Sequence, residues 1–124
     1  MLPILYVGAG GFVGAILRYA AGLALAGRMG SFPLGTLLVN ALGCFAMGAL
    51  VAWLEIQEEM PEHLRLALGV GLLGALTTFS AFGNETLELM RDGALRLAFL
   101  SVVLNVGVGL SAVWLGRLML TPTS

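Results

Sequence analysis

The sequence predicts an all-α integral membrane protein of four transmembrane helices in a single domain spanning 1–124. Three observations predict it: 59% of the 124 residues are hydrophobic, only 10% are charged, and mean hydropathy is +0.99. An ordinary soluble domain carries about 25% charge and about 45–50% apolar residues. The charged side chains here are six Arg, no Lys and seven Asp or Glu. So sparse a set does not keep a 12.9 kDa globule in solution, which argues against a cytosolic enzyme. Disorder fails for the opposite reason, an excess of apolar surface. A formal net charge of -1 lacks the basic face a nucleic-acid partner needs. The single Cys44 forms no intramolecular disulfide and no metal cluster.

The charges divide the chain. Residues 1–17 and 19–27 carry none, and neither do 29–54, 66–84 and 97–116. About 20 mostly apolar residues cross about 30 Å of hydrocarbon. Four helices are therefore expected, over about 3–26, 33–54, 63–90 and 94–118. Buried helices of a soluble bundle would need polar outer faces, and these windows have none. Gly27–Pro33 and Arg91–Gly93 read as turns. The acidic stretch Glu55–His63 reads as a solvated loop, with Pro61 at a first helical position. Glu58, Glu59 and Glu62 there stand near the positive end of helix three. His63 is alone and is not expected to be a ligand.

Residues 1–17 lack a basic leader and a cleavage site, so helix one is expected to stay in the mature chain. Four spans put both ends of the chain on one side. Arg65 and Arg117 then fall on that side, and Arg28, Arg91 and Arg96 on the other. So slight a bias does not set orientation, and insertion both ways is expected. Small residues at Gly10 and Gly14, Cys44 and Gly48, and Gly107 and Ser111 let helices approach closely in lipid. Four short helices make a thin bundle, so self-association is expected.

Gly8, Gly11 and Gly14 after Ile4–Val7 imitate a dinucleotide phosphate loop. That motif needs a βαβ unit and an acid about 20 residues on. No acid precedes Glu55, and helix packing accounts for the glycines.

Polar groups at membrane depth are costly unless paired or placed on a pathway. Arg18 lies about two-thirds along helix one, where it either snorkels to the interface or faces a pathway. Thr36 and Asn40 stand one turn apart on helix two. Asn105 lies mid-span in helix four, a turn from Ser101 and Gly109. Any of these side chains serves a helix–helix hydrogen bond; together they suggest a polar track. Helix three carries Gly69, Gly71 and Gly74, then Thr77, Thr78 and Ser80. Glycine weakens a helix and hydroxyls compete for its backbone bonds, so a break near its middle is expected. Broken backbone at that depth lines a cavity or is buried in protein, and its freed carbonyls can hold a cation. Phe79 and Phe82 share a helix face, for packing, lipid contact or a pathway.

TTFSAF at 77–82, GTLLVN at 35–40 and GAILR at 14–18 together resemble the Fluc (CrcB) fluoride channels. The similarity in motif order and spacing covers nearly the whole chain. It implies a multi-pass protein of the bacterial plasma membrane, an antiparallel dual-topology homodimer with two fluoride pathways. It also implies a structural Na+ at the dimer centre, held by the main-chain carbonyls of Gly74 and Thr77. By the same resemblance Phe79, Phe82 and Asn40 line the fluoride pathway, Arg18 its vestibule, and Thr78 and Ser80 supply hydroxyls. The family usually has Thr where this chain has Ala81, which shifts coordination onto Ser80 or Thr78.

The residue types suit a small, strongly hydrated anion. Its water must be replaced by close donors, which amide and hydroxyl groups provide, and by the positive edges of aromatic rings. The expected function is passive fluoride export, with no enzymatic activity. The alternative, a small multidrug-type proton-coupled antiporter, needs a carboxylate deep in helix one, where this chain has none.

Overall fold

The structure, a computed structural model, describes residues 1–57 and 59–120, so Glu58 lies outside the described residues. Four stretches are helical, long and apolar enough to cross a membrane: Leu2–Leu25, Leu34–Ile56, Glu62–Arg91 and Leu95–Leu120. We label Leu2–Leu25 α1 and Leu34–Ile56 α2. The third span is composite. A short α3 (Glu62–Arg65) runs into a π-helical segment (Leu66–Leu73) and then a single turn, α4 (Gly74–Leu76). Thr77 and Thr78 follow with extended backbone, at φ −80°, ψ 152° and φ −149°, ψ 120°. The helix resumes as α5 (Phe79–Arg91), and α6 (Leu95–Leu120) completes the chain.

Local chemistry accounts for these boundaries. Pro61 stands one position before α3 with an extended ψ of 134°, a fixed start that donates no hydrogen bond. The Thr78 side chain accepts from the Ala81 N–H and so caps α5. Gly93, at φ 77°, closes α5 with two reverse bonds: its own N–H reaches the Met90 carbonyl, and that of Ala94 reaches Leu89.

Packing rests on close backbone approach rather than on a large apolar core. Among the described residues the buried large apolar side chains are few, among them Val39, Leu73, Phe82 and Leu89, while most Leu, Val and Ile side chains face outward. Lipid is as apolar as leucine, so contact area between small residues drives association. In α1, Gly10 and Gly14 lie against the Ala67 and Leu72 carbonyls, and Gly71 returns the contact on Val7. In the other pair, Gly48 of α2 meets the Val113 carbonyl and Gly116 of α6 meets that of Phe45. Gly107, expected beside a neighbouring helix, has open space around it. Instead α6 turns Gly109, Ala112 and Gly116 inward, spaced to form one face. The chain is thus two tight helix pairs, α1 with the third span and α2 with α6.

Two contacts tie one end of the bundle. The Tyr6 and His63 rings lie 4.6 Å apart, and Arg117 bonds Glu55 at 2.6 Å. Glu55, expected just beyond helix two, sits in its last turn.

Candidate anion pathway at the helix interruption

The polar residues of three spans meet at Thr77 and Thr78. Asn40 of α2 reaches both backbone groups of Thr78: its Oδ1 accepts the Thr78 N–H at 2.7 Å, and its Nδ2 donates to the Thr78 carbonyl at 3.1 Å. The same Nδ2 donates to Asn105 Oδ1 of α6 at 3.0 Å. Asn105 Nδ2 in turn donates to the Ser101 carbonyl at 2.9 Å. Ser101 is fully buried, and its hydroxyl lies 3.1 Å from that of Thr86. An extended residue in mid-span leaves backbone groups without helical partners, and hydrocarbon offers them none. The Asn40 amide does so for Thr78.

The interruption also releases carbonyls. A helix would pair the Gly74 carbonyl with the Thr78 N–H, but that N–H goes to Asn40. It would pair the Thr77 carbonyl with the Ala81 N–H, but that N–H goes to Thr78 Oγ1 at 3.2 Å. Thr77 turns its own hydroxyl back onto the Leu73 carbonyl at 3.0 Å. Its methyl group fits against Gly43 of α2, where a Cβ would collide with it. Among the described residues no three His, Cys, Asp or Glu side chains gather to hold a metal.

Two cavities flank Thr78. One, of about 360 Å³, is lined by Arg18 and Tyr19 of α1, Thr36 of α2, and Ala81 and Glu85 of α5. Thr36 donates to Glu85 Oε1 at 2.8 Å, and Glu85 Oε2 is buried without a protein partner. The other, of about 240 Å³, is lined by Asn40, Cys44, Thr77, Phe79, Phe82 and Asn105. Thr78 borders both. The Phe79 and Phe82 rings meet edge to face, 5.4 Å apart at 62°. They differ in environment: Phe82 is 8% exposed and Phe79 is 82% exposed.

The expected site residues therefore separate into Arg18 on the first cavity and Asn40, Phe79 and Phe82 on the second. Ser80 lines neither; it is exposed, with its Oγ 3.4 Å from Thr78 Oγ1. Gly74 is exposed as well. Asn105, expected on a polar track or in a helix–helix hydrogen bond, and Glu85, toward the end of the third span, both enter the site. For Glu85 the available signal was a carboxylate inside a span, and for Asn105 a mid-span amide.

A family model described as CrcB-like protein, Camphor Resistance (CrcB), matches residues 5–117. The chain belongs to the CrcB family. Curated CrcB-type relatives agree over most of its length. One from Shewanella halifaxensis (strain HAW-EB4), named fluoride-specific ion channel FluC, is 50% identical over 118 residues, 94% of each chain. Relatives of the same name from Shewanella piezotolerans (strain WP3 / JCM 13877) and Shewanella pealeana (strain ATCC 700345 / ANG-SQ1) are 49% and 50% identical over the same share. The matched CrcB region includes Arg18, Asn40, the Thr77–Thr78 interruption and Asn105.

Proposed function

We propose that this chain is a fluoride-specific channel of the bacterial plasma membrane that lets fluoride leave the cytoplasm passively. Identity of about half to relatives named fluoride-specific ion channels, over 94% of each chain, carries this reading. The site chemistry supports it. Asn105, whose amide nitrogen makes one bond among the described residues, and an edge-to-face ring pair line the second cavity with Asn40 and Thr78, and Arg18 places a positive charge on the first. Such groups replace water around a small anion without holding it as tightly as a fixed cationic cage would, and conduction requires release. A negative-inside potential is worth about 2.3 kcal/mol per charge per 100 mV and drives an anion outward.

The working unit in this proposal is an antiparallel homodimer inserted in both orientations, with two pathways. The near-even Arg distribution supports dual insertion, and the outward-facing Phe79 supports a second copy beside it. The Gly74 and Thr77 carbonyls, released by Asn40 and Thr78, are a donor set that suits sodium. When bound there, sodium supplies a fixed positive charge that offsets part of the cost of an anion at mid-depth. The proton-coupled antiporter needs a carboxylate deep in α1, and α1 holds none.

The test is fluoride efflux from liposomes containing the purified protein, with chloride as control. Rapid fluoride loss without chloride loss is expected. Absence of fluoride flux, or proton-coupled uptake of an organic cation, overturns the proposal.

A further inference from the structure

Two backbone groups settle how the Asn40 and Asn105 amides are turned. The Thr78 N–H needs an acceptor, so Asn40 gives it Oδ1 and turns Nδ2 elsewhere. The Ser101 carbonyl needs a donor, so Asn105 gives it Nδ2 and turns Oδ1 to Asn40. An amide nitrogen carries two hydrogens. Those of Asn40 go to the Thr78 carbonyl and to Asn105 Oδ1, at 3.1 and 3.0 Å. None is left for an anion. Asn105 Nδ2 makes one bond among the described residues and keeps one hydrogen unused. Both amides line the second cavity with Phe79 and Phe82.

We propose that Asn105 is a specificity-determining positioning residue of the anion path, and this rests on the channel reading above. Its Oδ1 occupies the Asn40 hydrogen that an anion requires. An ion enters only by accepting that hydrogen more strongly than an amide oxygen does, with the unused Asn105 N–H beside it as a second donor. Both halides are charged acceptors, but fluoride is smaller, approaches that hydrogen more closely and gains more from it than chloride does. The amide oxygen is thus a repulsive element against the wrong ion, and specificity comes from that difference.

The experiment measures fluoride and chloride flux against concentration for parent, Asn105→Ala and Asn105→Asp in liposomes, with assembly checked by size exclusion. Asn105→Ala removes the competing oxygen together with the second donor; freeing the Asn40 hydrogen is the larger change in this proposal, so half-saturating fluoride is expected to fall and chloride flux to appear. Asn105→Asp strengthens the competitor and adds negative charge, so half-saturating fluoride is expected to rise at least tenfold. Opposite shifts are a signature that general loss of folding does not produce. Unchanged half-saturation in both assembled variants, or shifts in one direction, overturns the proposal. The parent gives a readout that no variant can spoil. With selective 15N labelling of its three asparagines, added fluoride is expected to move the Asn40 and Asn105 side-chain signals together. Asn84, exposed and bonded to Glu88 at 2.9 Å, stays as the control. An Asn105 signal that stays with Asn84 while Asn40 moves overturns the proposal. A parent that passes no fluoride instead overturns the channel reading itself.

Discussion

One side chain, Asn40, holds both polar backbone groups of Thr78, the N–H at 2.7 Å and the carbonyl at 3.1 Å, across 38 residues of sequence. A single amide so replaces a helical donor and a helical acceptor where the third span is extended. Leaving a buried group unsatisfied costs about 1–3 kcal/mol. The tie between α2 and the interruption is therefore a structural requirement as well as a feature of the candidate pathway.

Asn40→Asp keeps the acceptor for the Thr78 N–H and loses both donors. The carboxylate then faces the Thr78 carbonyl and Asn105 Oδ1, acceptor against acceptor. Stability is expected to fall by about 1–3 kcal/mol and fluoride flux at least tenfold. Thermal unfolding in detergent and liposome efflux measure the two losses.

The two phenylalanines are expected to separate on substitution by Ile. Phe82 is buried, so Phe82→Ile is expected to lose about 1–2 kcal/mol through imperfect packing. Phe79 is 82% exposed, so Phe79→Ile leaves the fold of the chain nearly unchanged. In the channel both variants lose the aromatic edge, and fluoride flux falls sharply. A double Ile variant that assembles and conducts like the parent rules out an aromatic pathway.

Gly43 and Thr77 are expected to couple. A methyl group at Gly43 collides with the Thr77 methyl group, so Gly43→Ala is expected to cost about 1–3 kcal/mol from overpacking. Thr77→Ser removes that methyl and keeps the hydroxyl on the Leu73 carbonyl. The double variant should recover at least half of the loss, read as a coupling term in thermal unfolding.

Orientation is expected to be mixed. A tag after Ser124 should be found on both sides of the membrane in cells, because the Arg residues give insertion little bias. Adding Lys to the Gly27–Pro33 turn should force one orientation and lower function. A one-sided tag on the parent chain contradicts dual topology.

Sodium dependence is expected to survive side-chain change at Thr77, since the proposed ligands are main-chain oxygens. Replacing Na+ by a large organic cation should lower flux or dimer stability in the parent and in Thr77→Ser alike. Indifference of both quantities to sodium rules out a structural sodium.

The sequence by itself determined four apolar helices and the set of polar residues sunk within them. Hydropathy adds residue by residue along a chain, so uncharged windows such as 29–54 and 97–116 declare spans without reference to any partner. Thr36 and Asn40 share a face because helical spacing is local as well. Only the tertiary structure decided the partners: Asn40 with Thr78 and Asn105, Thr36 with Glu85, and Thr86 with Ser101. It also decided that Gly109 and Gly116 face α2 while Gly107 faces outward, and that Phe82 is buried while Phe79 is not. Each outcome depends on how far one helix is rotated and slid against another. That rotation is set where glycines let backbones touch, at Gly10, Gly14 and Gly71 and at Gly48 and Gly116. A hydrogen bond tolerates only a few tenths of an ångström in length, so partners 38 and 65 residues apart are fixed by those distant contacts, not by the spacing of the residues that bond.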